Sequence, residues 1–238
     1  MSEKVLIDKI KQGGYWRIAI TPGEYVENRY THNKLKEMLK ESQISLRGWN
    51  YPHIDSQKTY NRVGFVESFC EFKNHLECLR FYRSGKFVHL FAMREEALNP
   101  EYLVQRFSWY TSGALPDKLR GFSILGALYT LTEIFEFVCN VAQKGAPLPG
   151  GKLDLELHGL KNRALYFDDL SRDLRQMYIC RDECLSLSLP IPLGVTDEQF
   201  ARKTACDWLG EIVQHFQWDG EHFPFFEAEQ SKFLQSRR

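Results

Sequence analysis

The chain lacks net charge: thirty-one Lys and Arg balance thirty-one Asp and Glu across 238 residues. No global field draws it to a polyanion or an acidic membrane, so a histone-like binder is excluded and only a local basic patch is left open. It also lacks internal repeats and low-complexity tracts, which argues against a repeat array. There is no Gly-x-Ser-x-Gly, no phosphate loop and no dinucleotide fingerprint. The glycine-rich run Gly145 to Gly151 has neither the Gly-Lys-Ser/Thr ending nor a helix after it. The start, MSEKVLIDKIKQGG, has no long apolar run or small-residue cleavage site and does not read as a signal peptide. Duplicated close cysteine pairs of the structural-zinc kind are missing too. Cys180 and Cys184 stand alone, as do Cys70, His75 and Cys78, and the six cysteines read as reduced, mostly buried thiols. The expectation is a cytoplasmic protein that folds without metal, cofactor or disulfide.

What is present is apolar and aromatic. Hydrophobic residues make up 43% and aromatics 14%, with seventeen Phe, eleven Tyr and five Trp, which favours sheets with a bulky core or a stacking surface. A chain of this length forms one large domain or two small ones. Tyr15 to Ile20 alternates as a strand. Thr31 is placed to cap a helix that carries Leu35, Met38 and Leu39 on one face. Arg62 to Met93 reads as an antiparallel meander with turns at Asn74 and at Ser84-Gly85, its last strand placing Phe87, His89, Phe91 and Met93 on one side. The most apolar run, Phe122 to Val141, is broken by Thr132, Glu133, Glu136 and Asn140. It places Ile124, Leu128, Leu131, Phe135 and Val138 on one stripe, a core helix rather than a membrane span.

GAPLPGG, Gly145 to Gly151, cannot continue a regular element and marks the expected boundary. Beyond it, Leu153, Leu155 and Leu157 alternate with polar residues, Ala164 to Phe167 is the expected hairpin partner, and Tyr178 to Leu189 supplies more strand. Asp197 opens a last helix. The resulting expectation is α+β: an antiparallel sheet with packed helices over residues 1–144, and a smaller strand-plus-helix unit over 152–238 packed on it.

Three groups of residues have chemistry to offer. SLRGWNYPHI, Ser45 to Ile54, crowds Arg47, Trp49, Tyr51 and His53 into a loop that Gly48 and Pro52 keep irregular. Such side chains stack on bases and pair with phosphate, or they anchor the loop on the core. The mixed expectation is Trp49 inward, with Arg47 and Tyr51 outward and functional. The pair Trp109-Tyr110 carries the same two readings. Asp55 with Glu71-Phe72-Lys73 has the order of metal-dependent nucleases, two carboxylates for the cation and a lysine for developing charge, and equally suits a salt-linked strand face. Asp154, Glu156 and His158 project from one face of a strand, where they would hold a divalent cation or simply meet water.

SLRGWNYPHI, with HLECLRFYRSGKFVHLFAMRE (His75 to Glu95), LELHGLKNRALYF (Leu155 to Phe167) and the closing HFQW (His215 to Trp218), resembles a bacterial region associated with ATP-binding or DNA-binding proteins of the AlbA/Schlafen-like type. The resemblance spans most of the chain and implies a two-part module that accompanies a nucleic-acid-binding or ATP-binding domain in genome defence or regulation. It carries over no catalytic residue. The function expected is a non-catalytic binding or sensing module for a partner protein or nucleic acid, with no membrane role; the alternative is a metal-dependent nuclease or phosphodiesterase.

Overall fold

The computed structural model describes residues 3–72, 75–108, 119–169, 171–192, 195, 197–219 and 223–235. The fold is α+β. In chain order the elements are α1 (Glu3–Lys11), β1 (Tyr15–Thr21), α2 (His32–Ser42), β2 (Thr59–Arg62), β3 (Phe65–Phe72), β4 (His75–Tyr82), β5 (Phe87–Ala92), α3 (Pro100–Phe107), β6 (Arg120–Ser123), α4 (Ile124–Gln143), β7 (Lys152–His158), β8 (Arg163–Tyr166), β9 (Cys184–Pro190), α5 (Glu198–Gln214) and α6 (Phe223–Gln235). Seven strands make one antiparallel sheet in the order β2-β3-β4-β5-β1-β7-β9, and β6 pairs with β8 in parallel beside it.

Period-two alternation sorts the side chains of the large sheet into two faces. Register aligns Leu79, His89, Ile18, Leu155 and Leu187 in one row across β4, β5, β1, β7 and β9. The neighbouring row is Glu77, Phe91, Trp16, Leu157 and Leu185. This face is the core, closed by α4, α2 and α5. Side-chain caps start these helices: Thr31 accepts from the Lys34 amide at 3.2 Å, Ser123 from Gly126 at 2.8 Å and Asp197 from Gln199 at 2.9 Å. On the opposite face α1 covers one corner, with Leu6 and Ile10 on Cys78, Phe69 and Leu76. α4 is long and apolar enough to cross a membrane by composition, but 78% of its most apolar stretch is buried within the fold.

The division expected at residues 145–151 is not how the sheet is built. β7 pairs with β1 along its whole length, from Tyr15↔His158 to Thr21↔Lys152, so residues before and after 145–151 share one sheet. The run itself is packed: Ala146 and Leu148 are buried, the Gly23 amide donates to the Pro147 carbonyl at 3.2 Å, and Gly150 donates to Ile191 at 3.0 Å. Its glycines allow a close approach, since a Cβ on Gly151 would lie 2.1 Å from the Thr21 carbonyl oxygen.

Further expectations are corrected. Ala164 to Phe167 is not a hairpin partner of β7; β8 pairs with β6. The meander expected from Arg62 has an earlier turn and an earlier strand: Val63 sits fully exposed on the turn between β2 and β3, where Gly64 takes φ +83°. α5 is followed by α6, so Asp197 opens the penultimate helix. Asn74 and the Trp109-Tyr110 pair lie outside the described residues.

Candidate functional site: a charged pocket beneath the aromatic loop

After α2 the chain is pinned by a two-way bridge, with Ile44 and Tyr51 exchanging backbone hydrogen bonds of 2.8 and 2.7 Å. The residues between them bulge out, and Gly48 takes the left-handed φ of +75° that the bulge requires. The loop crosses the core face where β4 and β5 meet the first half of α4, and every named residue on it is engaged.

Arg47 turns to α4. Its Nε donates to Glu133 Oε1 at 3.1 Å, one Nη donates to the other carboxylate oxygen, and the same Nη donates to Thr130 Oγ1 at 3.1 Å. Tyr51 is buried, its ring against His89, Phe91 and Phe137, and its hydroxyl lies 3.4 Å from His89 Nδ1. Trp49 is half-buried, stacked between His53 at 4.0 Å and His75 at 4.4 Å, with Phe72 beside it. The expected orientation is thus reversed at Tyr51, which packs inward because it faces an apolar groove between β5 and α4. Arg47 is likewise held by a buried carboxylate rather than presented outward.

The centre of the arrangement is Glu77 on β4, which sequence reasoning missed. Its Oε1 accepts from the Trp49 indole at 3.2 Å, and its Oε2 accepts from the His53 amide at 3.2 Å and from His89 Nε2 at 3.1 Å. Burial pushes the Glu77 carboxyl up, but the His89, Trp49 and His53 donors outweigh it and hold the group below the ordinary glutamate value. The His89 imidazole thus links Glu77 to Tyr51, with Nε2 on the carboxylate and Nδ1 beside the hydroxyl. Burial, with Glu77 and Glu133 adding to it, pushes the Tyr51 phenol well up, so it stays protonated at neutral pH. Burial also lowers the His75 imidazole.

These groups line a pocket of about 320 Å³. Its aromatic walls are Trp16, Trp49, Tyr51, Phe91 and Phe122; Gly126, Ala127 and Thr130 of α4 form the opposite side. Besides Glu77 and Glu133, Glu95 reaches it, accepting from the Ser123 amide at 3.0 Å. Burial raises the Glu95 carboxyl despite nearby Arg94. Arg94 also lines the pocket and pairs with Asp168. A signal was available in the sequence: Glu77 and His89 occupy apolar-phase positions, Glu77 in step with Leu79 and Phe81 and His89 between Phe87 and Phe91. Titratable residues there are costly unless paired.

The other predicted sets are not assembled this way. Asp55 caps a 3-10 turn (Ser56–Lys58), accepting from the Gln57 amide at 2.9 Å. Glu71 pairs with Lys9 of α1 at 2.7 Å, on the sheet face opposite the core, and Lys73 lies outside the described residues. Asp154, Glu156 and His158 do share the outer face of β7, but each is occupied. Asp154 accepts from Ser188 at 2.8 Å and pairs with Lys152 at 3.0 Å; Glu156 pairs with Arg17 and, at 3.0 Å, with His158, whose ring stacks on Tyr15. Among the described residues no three His, Cys, Asp or Glu side chains are grouped to hold a metal ion.

Comparison of the chain with protein-family models, curated proteins and solved structures returns no match.

Proposed function

We propose that the chain is a non-catalytic binding or sensing module, and that its ligand seat is the pocket beneath the loop Ser45 to Ile54. The observation that carries this is the placement of an ionised, nearly buried Glu77 on the wall of a ring-lined cavity of about 320 Å³. That volume is at the lower end of ordinary ligand pockets, about 300–1,000 Å³, and suits one flat group such as a base or an aromatic side chain. A partner protein or a nucleic acid would be recognised by inserting such a group. The likeness of SLRGWNYPHI and its companions to the AlbA/Schlafen-associated region supports a cytoplasmic role in bacterial genome defence or regulation.

Trp16 and Trp49 both line the pocket and provide the readout. Titration with the four common ribonucleoside monophosphates, and with N-acetyl amides of Trp, Tyr and Arg, should give saturable quenching with at least one probe. The same probe should raise the melting temperature, because a ligand that binds only the folded state stabilises it. If every probe leaves both signals unchanged at millimolar concentration, the pocket is not a ligand seat of this kind.

A further inference from the structure

The pocket has a charge order from inside to outside. Its carboxylates are deep: the side chains of Glu133, Glu95 and Glu77 keep only 2%, 7% and 11% of their surface. Its guanidinium groups are shallower, with Arg47 27% and Arg94 45% accessible. Asn50 joins them as an exposed lining residue. A ligand matched to this order has hydrogen-bond donors on a flat inner end and negative charge on the outer end. A purely cationic side chain would have to pass the arginines to reach the glutamates, and a purely anionic group would meet the carboxylates.

Resting on the reading of the pocket as a ligand seat, we infer that it takes one cytidine nucleotide, with the exocyclic N4 amino group of the base turned to Glu77 and the phosphate to Arg94. A carboxylate offers about four lone-pair sites, and three donors already occupy Glu77: Trp49 on Oε1, and His53 and His89 on Oε2. One acceptor site remains, on Oε1. A single exocyclic N–H matches that vacancy, as a carboxylate accepting from cytosine N4 does elsewhere. A uracil-type edge presents a carbonyl at the corresponding position and sets oxygen against oxygen. A base seated against the aromatic walls would displace water from the contact, which raises the cost of the wrong edge. Outside, the half-exposed Arg94 guanidinium has five donors, of which Asp168, Glu95 and Tyr166 engage only part. Phosphate is its natural further partner.

The test compares ligands on the unaltered protein, so it does not depend on any variant folding. By tryptophan fluorescence, CMP should bind about tenfold or more tighter than UMP and than cytidine; tenfold corresponds to about 1.4 kcal/mol. A short oligocytidine binding tighter than CMP would identify a single strand as the source; equal binding would identify the free nucleotide. In Arg94→Gln the advantage of CMP over cytidine should shrink to less than about threefold while the preference for CMP over UMP persists. Equal affinity for CMP and UMP, or for CMP and cytidine, overturns the inference. Binding of the amino-acid amides alone would overturn it and leave the ligand-seat reading standing; binding of no probe would remove both.

Discussion

Two polar clusters lie on opposite faces of the same sheet and use the same residue types to different ends. On the core face, Glu77, His89 and Tyr51 are closed in by α4 and the aromatic loop. On the outer face, Glu156 and His158 of β7 meet Arg17 of β1, each about a third exposed, and Tyr15 stacks on His158. Both contain a carboxylate bonded to an imidazole at close to 3 Å. Burial separates them. Water competes for every outer bond, whereas a core group that loses its partner has no substitute. A pattern of chemical residue types in the sequence therefore says little until the face it occupies is known.

The comparison is broken most decisively at Tyr51 and Glu133. Truncating a large buried ring removes apolar burial and leaves a cavity, so Tyr51→Ala should destabilise by about 3–5 kcal/mol, as for other core aromatics. Tyr51→Phe, which keeps the ring and deletes only the contact to His89, should cost about 0.5–1.5 kcal/mol. Glu133→Ala takes the carboxylate from Arg47, which keeps its bond to Thr130 Oγ1; because the guanidinium can still reach water, the expected cost is about 3 kcal/mol, the low end for a broken buried pair. Denaturant unfolding measures all three. Costs below 1 kcal/mol for both alanine variants would show that the core cluster behaves like the outer one.

Acidification sharpens the contrast within the core cluster itself. Glu77 has a folded pKa below the ordinary value of 4.5, so its contribution is present above that pH and is lost as pH falls through the folded value. Glu95 is shifted the other way, so what it contributes is present below 4.5 and is lost as pH rises through its folded value. Melting curves between about pH 3 and 7 should therefore diverge. Relative to the parent, Glu77→Gln should be destabilised near neutrality, with the deficit shrinking toward pH 3. Glu95→Gln should be stabilised near neutrality, with that gain vanishing on acidification. Difference curves that run parallel for the two variants would contradict the opposed shifts.

The elements that were legible in the sequence are those written in local periodicity. Thr31 was readable as a cap, Asp197 as lying near a helix start, α4 as a stripe of Ile124, Leu128, Leu131, Phe135 and Val138, and β9 as the second half of the strand expected over Tyr178 to Leu189. What failed was long-range. Nothing local in Leu153 to Leu157 says that its partner is Ile20 to Trp16 rather than the nearer Ala164 to Phe167. GAPLPGG has the composition of a linker, yet its small residues serve a close approach to Thr21 and Gly23. For the site, SLRGWNYPHI was visible because large side chains are conspicuous. Its inward partners showed only as titratable residues in an apolar phase at Glu77 and His89, and their roles, with that of Glu133, follow only when three elements converge.

The smallest effect belongs to the outer cluster and tests the comparison from its other side. Glu156 accepts from Arg17 and His158 at the surface, where solvent supplies replacement partners and salt screens the charges. Glu156→Ala should change stability by no more than about 1 kcal/mol, and most of that should vanish in 1 M salt, where the screening length falls to about 3 Å. Asp154→Ala, which loses Lys152 and Ser188, should behave alike. Divalent cations bear on the same residues: a set already closed by Arg17, Lys152 and Tyr15 offers a cation no net gain, so magnesium or manganese at millimolar concentration should leave the melting temperature of the protein unmoved. A rise with either metal that disappears in Glu156→Ala would reopen the outer face of β7 as a cation site and make burial a poor guide to which cluster binds.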